Sequence, residues 1–301
     1  MLNKELDYGQ MMEWLNEKEG PSQALCVSYI GKSVFDRPIP VVTLGDKTAQ
    51  KSVLYVATHH ASENICTTVL LRFIDDYISA YERMGQMYQI NMRYLYKTRK
   101  IYIVPMLNPD GVEYRLKGIS DKNPIKERVL AYNGSNDFSK WNANARGVDL
   151  NHNYDAYFEE YKAYEREKGI LNGKTKYSGE YAESEPEVKA LADFIRYNSG
   201  DLEGIITLHA QGEEIYYSSR DIVAPRSEHI AKLLSRISGY SLSIPKGMSA
   251  AGGLTDWFIK EYNKPSFTIE CGRGENPLPP SQIMTVYTRL KEALFTFPIL
   301  F

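Results

Sequence analysis

The sequence predicts an α/β protein: a twisted sheet covered by helices, in a single domain spanning residues 1–301. Two observations carry this prediction. Four short runs, at 53–57, 101–104, 204–208 and 265–269, are almost continuously apolar. Such runs read as strands buried on both faces, because a strand with one wet face would alternate. Amphipathic segments of helical spacing lie between them, and strands alternating with helices build an α/β sheet.

The elements follow in order. The first strand, 53–57, leads into a helix over 65–81, where Val69, Leu70, Phe73, Ile74 and Tyr77 form an apolar face. The second strand, 101–104, is followed by Asn108-Pro109-Asp110-Gly111. The stretch 119–181 is polar and rich in Tyr, Asn, Lys and Glu. It interrupts the rhythm and reads as a long surface excursion within the domain, a feature often tied to function. Ser184-Glu185-Pro186-Glu187 opens a helix over 186–197, with Val188, Leu191, Ala192 and Ile195 on its apolar side. The third strand (204–208), helices over 230–237 and 254–262, the fourth strand (265–269) and a last helix over 282–295 complete the series.

Composition narrows the function. The 36 basic and 38 acidic residues give a net charge of −2 with no basic block. A nucleic-acid binder would carry a clustered basic footprint, so none is expected. No run of about 18 apolar residues occurs, so no membrane span is expected. The three cysteines, Cys26, Cys66 and Cys271, form no Cys-x-x-Cys. A thiolate zinc site and a disulfide framework are therefore not expected, which favours a reducing compartment. The polar, acidic start of the chain does not resemble a signal peptide, and a cytoplasmic location is the expectation.

In α/β sheets, ligands bind beyond the carboxyl ends of the strands. Four chemically loaded segments stand there: His60 after the first strand, Asn108 to Gly111 after the second, His209 ending the third and Glu270 ending the fourth. Two histidines and a glutamate suit catalytic zinc, which takes three protein ligands and keeps one position open for water. His60 and Glu63, three residues apart on a turn into a helix expected near Ser62, can chelate one ion. Glu270 follows an apolar run, where burying a carboxylate is costly without compensation; a nearby zinc is such compensation, and Glu270 can then serve as base toward water. Singly, each residue has a plainer reading: a surface histidine beside a helix-start glutamate, a satisfied core histidine, an ion pair of Glu270 with Arg273. Their common position at one sheet edge favours a site.

At this point the chain resembles the zinc carboxypeptidase A family of metallopeptidases. The matching pieces are His60-x-x-Glu63, Asn108-Pro109-Asp110-Gly111, Gly147-Val148-Asp149-Leu150-Asn151, Leu208-His209, Gly252-Gly253-x-x-Asp256-Trp257 and Ile269-Glu270. The resemblance implies a mixed, mostly parallel sheet of about eight strands flanked by helices. It implies one zinc ion per chain, held by His60, Glu63 and His209, with Glu270 as general base. Asp149 would accept a hydrogen bond from the first zinc histidine and orient it. An arginine that stabilises the transition state belongs shortly before Gly147, and Arg146 is the candidate. Asp256 and Trp257 are expected to shape the pocket wall and a helix start.

Two departures bear on the substrate. The family follows its Asp-x-Asn segment with an arginine that clamps a terminal carboxylate, whereas here Asn151 precedes His152. An arginine forks onto a carboxylate with two hydrogen bonds and stays charged; a histidine offers one donor and a pH-dependent charge. The family's substrate-capping tyrosine, a few residues before Gly252, is also missing, and Met248 stands in its neighbourhood. Asn151, His152 and Met248 are the expected substrate contacts. The segments 104–112, 208–216 and 270–279 further resemble the bacterial branch that cleaves γ-D-glutamyl–diamino acid bonds of cell-wall peptides. The expectation is a zinc metallopeptidase acting on a peptide or muropeptide. The alternatives are a carboxypeptidase for ordinary peptides, a zinc deacylase of N-acyl amino acids and a non-catalytic peptide-binding module. His152 and the missing tyrosine count against the first, the long series of motifs against the second, and retention of all four residues against the third.

Overall fold

The computed structural model describes residues 2–20, 22–245 and 247–301. Its strands are β1 (Leu25–Lys32), β2 (Pro38–Leu44), β3 (Lys51–Ala57), the short hairpin β4 (Gln86–Met87) and β5 (Ile90–Asn91), β6 (Arg99–Val104), β7 (Leu202–His209), β8 (Glu214–Tyr216), β9 (Ser241–Ser243) and β10 (Ser266–Glu270). All but the hairpin form one eight-stranded sheet in the order β1-β2-β6-β3-β7-β10-β8-β9. Its centre, β6-β3-β7-β10, is parallel, and these are the four apolar runs. The sheet is mixed because β1 with β2, β2 with β6 and β8 with β10 pair antiparallel. β1 mixes exposed and buried positions, and β8 and β9 have three residues each.

Both faces of the sheet are covered, as the continuous burial along β3 and β7 requires. One face meets α1 (Tyr8–Glu19), α2 (Ile65–Glu82), α8 (Ser227–Ser238) and α10 (Ile283–Thr296); the other meets α7 (Pro186–Asn198) and α9 (Leu254–Tyr262). On the first face, Phe73 of α2 packs edge-on against Tyr55 and Phe295, with ring centroids 5.6 and 4.8 Å apart. The Tyr55 hydroxyl donates to the Leu294 carbonyl at 2.7 Å. On the second face, Leu191, Ile195, Trp257 and Phe258 close over Val56 and Ile205. Each fully buried side chain of this size contributes roughly 1.5–3 kcal/mol through removal from water.

The excursion 119–181 departs from expectation. It contains α5 (Lys126–Asn133) and α6 (Phe158–Lys168). Trp141, Ala143, Ala145, Leu150 and Tyr154 within it are fully buried. Its polar composition hid these anchors, which bring its middle down onto the sheet edge. Asn108, capping α4 (Pro109–Lys117), holds that middle in place. Its amide nitrogen donates to the carbonyls of His59, Asn142 and Ala143 at 3.0–3.2 Å. Gly111 is required beneath it, because any Cβ there would collide with the Ala143 carbonyl.

Candidate metal centre

His60 leaves the carboxyl end of β3 in extended conformation, and residues Ala61–Glu63 form a 3-10 turn before α2 starts at Ile65. The helix thus begins slightly later than Ser62, with a tighter turn that folds Glu63 back under His60. His60 Nδ1 donates to Glu63 Oε1 at 2.9 Å. From the end of β7, His209 Nδ1 donates to the other oxygen, Oε2, at 2.9 Å. The three ligand atoms lie within 4.8 Å of one another. Both rings therefore turn the same nitrogen toward one carboxylate.

Asp149 orients His60 from behind. Its Oδ1 accepts from His60 Nε2 at 2.9 Å, and its Oδ2 accepts from the Lys176 amide at 2.9 Å and the Thr175 hydroxyl at 3.3 Å. Burial alone would raise this carboxyl, but the charge and hydrogen bond of His60 outweigh it and hold it well below the usual range. Burial likewise opposes ionisation of Glu63, yet His60 and His209 bring it down to about 2. Burial disfavours the charged imidazole of His60, but Glu63 and Asp149 hold its pKa well above the ordinary value. His59 stays outside the set. It is hydrogen-bonded to the Tyr154 hydroxyl at 3.0 Å, and burial, then its two histidine neighbours, hold it neutral.

Glu270 ends β10 in direct register with His209 on β7. Burial, then the Glu63 carboxylate, push its carboxyl well above the usual range. The charge of His60 offsets this only in part, and a divalent cation held beside it would add to that compensation. Two imidazole nitrogens, which would give up their protons on binding a metal, and a carboxylate are the donor set that suits zinc, so the residues present fit the metal. His60, His209 and Glu270 open together into a cavity of about 220 Å³.

A sequence model described as zinc carboxypeptidase matches residues 11–293. The chain belongs to the zinc carboxypeptidase family. It is 35% identical over 292 residues to gamma-D-glutamyl-L-diamino acid endopeptidase 1 of Lysinibacillus sphaericus, covering 97% of this chain and 71% of that protein. It is 31% identical to the uncharacterized protein YqgT of Bacillus subtilis, over 86% of this chain and 68% of that one. In fold it is similar to bovine thrombin-activatable fibrinolysis inhibitor solved with tick carboxypeptidase inhibitor, with a TM-score of 0.74 at 22% identity, covering 99% of this chain and 98% of that one. As a member of this family the chain is a zinc-dependent metallopeptidase, and among the described residues His60, Glu63 and His209 form a group able to hold the ion.

Within the zinc carboxypeptidase frame, the other expected residues divide. Asn151 and His152 line the cavity with His60. His152 Nδ1 donates to the Ala251 carbonyl at 2.7 Å, and its ring stacks on Tyr161 with centroids 4.1 Å apart. Met248 is half-buried in the 3-10 turn Gly247–Ala250; Pro245 of the same loop lines the cavity, and Lys246 lies outside the described residues. Arg146 is not brought to the metal ligands. Its side chain is half exposed, faces a different cavity and stands 3.7 Å from Glu185. The cause is a tight turn centred on Asn144, whose Oδ1 accepts from the Arg146 and Val148 amides at 2.9 and 3.1 Å. With Gly147 in the left-handed region at φ 74, the chain reverses, so that Arg146 and Asp149 leave opposite sides of one wall.

Several contributors escaped sequence reasoning. Tyr216, Ser218, Thr255 and Thr268 line the cavity, and Thr255 and Thr268 share a hydrogen bond of 2.9 Å. Asn276 donates to the Ala210 carbonyl and reaches Glu63 Oε1 at 3.4 Å. The Cys66 thiol donates to the His209 carbonyl at 3.4 Å. None obeys a spacing rule; they come from strands, loops and the first turns of α2 and α9, and only three-dimensional proximity identifies them.

Proposed function

We propose that this chain hydrolyses the amide bond between γ-D-glutamate and a diamino acid in cell-wall peptides. His152 carries this reading. The side chain in the cleft where a terminal carboxylate would be clamped is an imidazole with one nitrogen already committed to Ala251. It offers a single remaining nitrogen in place of a guanidinium fork, which suits an endopeptidase better than a carboxypeptidase. The likeness to gamma-D-glutamyl-L-diamino acid endopeptidase 1 supports the same substrate class.

His60, Glu63 and His209 would hold the zinc ion, which would supply Lewis acidity toward the scissile carbonyl and the attacking water. Glu270 takes the proton of the attacking water and returns it to the leaving amine as the bond breaks. Asp149 keeps the His60 ring in one orientation throughout. The hydroxyls of Thr255, Thr268 and Ser218, with Asn151, offer hydrogen bonds to the substrate's polar groups. The deciding experiment incubates zinc-loaded protein with L-Ala-γ-D-Glu-diaminopimelate and, separately, with a blocked C-terminal dipeptide, read by mass spectrometry. Release of diaminopimelate supports the proposal; cleavage of the dipeptide alone would establish an ordinary carboxypeptidase instead.

A further inference from the structure

A second cavity, of about 500 Å³, lies beside the metal centre and takes no part in the chemistry above. Residues between Ile125 and Glu185 supply most of its wall, so the polar excursion builds it. Two guanidinium groups line it. Arg146 forms a loose ion pair with Glu185 at 3.7 Å, too long for a hydrogen bond, and Glu185 is also held by Asn144 at 2.7 Å and Ser184 at 2.9 Å. Arg128 donates to the Tyr132 hydroxyl at 3.3 Å and is exposed. Tyr177, Tyr181 and Phe35 add aromatic walls, and Glu180 adds a carboxylate.

We propose that this cavity is a subsite for a peptide bearing a free carboxylate, with Arg128 and Arg146 as its anchors. A guanidinium matches a carboxylate through two parallel hydrogen bonds. The tyrosine and phenylalanine rings cover an apolar peptide body while leaving polar tips for its amides. Glu180 and Glu185 disfavour a multiply charged anion such as phosphate and accept the N–H groups that a peptide brings beside its carboxylate.

The position connects this subsite to the metal centre. Val148 lines the cavity, while Asp149, the next residue, accepts from His60. The Asp149 amide donates at 2.7 Å to the carbonyl of Tyr177, another lining residue. The segment Val148–Asp149 therefore touches both the second cavity and the metal centre. A peptide seated in the second cavity lies next to the metal ligands without touching them, where it can hold an acidic part of a longer substrate.

The test is a titration of the full chain with L-alanyl-D-glutamate, followed through backbone amide resonances. The proposal expects saturable shifts at Val148, Asn172 and Tyr177. Arg128→Ala with Arg146→Ala should raise the dissociation constant about tenfold or more, the scale of a lost charge-assisted contact. The corresponding double lysine variant, which keeps charge but loses the fork, should fall between. Shifts confined to Asn151, Gly253 and Thr268 would overturn the proposal by placing the peptide in the metal cavity. Equal shifts with inorganic phosphate or with the dipeptide diamide would overturn the ligand class, and an absence of shifts would remove the subsite. The measurement involves no hydrolysis, so its failure is separate from failure of the peptidase reading.

Discussion

Glu270 is half-buried beside a second carboxylate, and desolvation and that neighbour both favour its protonated form, whereas a general base must be ionised. A zinc ion held by His60, Glu63 and His209 would resolve that conflict, which ties the function of the base to occupancy of the ligands. Glu270→Gln should leave zinc content unchanged, measured by elemental analysis, while hydrolysis falls about 10²–10⁴-fold. Asp149→Ala should act on the metal itself, weakening zinc affinity roughly 10–100-fold in competition with a chelating dye. The residues legible in the sequence share one property: His60, His209 and Glu270 are polar residues stranded at the ends of apolar runs. Arg146 was illegible because its direction depends on the Asn144 turn and on Gly147, a local reversal that residue type and spacing do not reveal.

At the scale of elements, α2 anchors the turn that carries Glu63, and Phe73 is one of its fully buried side chains. Phe73→Ala should cost about 3–5 kcal/mol in denaturant unfolding, with weakened zinc binding at temperatures where the fold persists. The loop before α9 is equally constrained. Gly252 adopts φ 79, and a Cβ there would stand 2.6 Å from the His152 carbonyl carbon. At the start of α7, burial, then the charges of Asp110 and Glu185, raise the Glu187 carboxyl to about 8. A carboxyl raised on folding binds its proton more tightly in the native state, so it favours folding below its unfolded pKa and loses that contribution as pH climbs toward 8. Chemical denaturation should therefore show stability falling between about pH 5 and pH 8. Glu187→Gln should flatten that slope; an unchanged slope would assign it to other groups. The central strands were readable because burial on both faces leaves no polar alternation, while β8 and β9, three residues each, are too short for any period to register.

For the whole molecule, the metal joins segments far apart in the chain, since Glu63 and His209 are 146 residues distant. An ion that binds only the folded state stabilises it by mass action, about 4 kcal/mol at a thousandfold excess over its dissociation constant. Scanning calorimetry of zinc-stripped and reloaded protein should show the melting temperature rising by several degrees on reloading, and an identical melt would count against the site. The overall plan of sheet and helices followed from the alternation of apolar runs. The depth of the excursion did not, because a few buried anchors such as Trp141 and Tyr154 were diluted among its many polar residues.

The pairing of Glu270 with His209 has a further consequence. The two residues occupy matched rungs of neighbouring parallel strands, and the Cys271 amide donates to the His209 carbonyl at 2.7 Å. The gap between base and metal ligand is thus inherited from the spacing of strands, about 4.8 Å in any sheet, and not from a loop. Several residues that would choose the substrate, by contrast, sit on the turns around Asn151, Ser218 and Pro245. Those turns can be exchanged while the distance between base and metal ligand keeps its value. Grafting them from relatives should redirect which bond is cut and leave the pH profile of the cut itself unchanged.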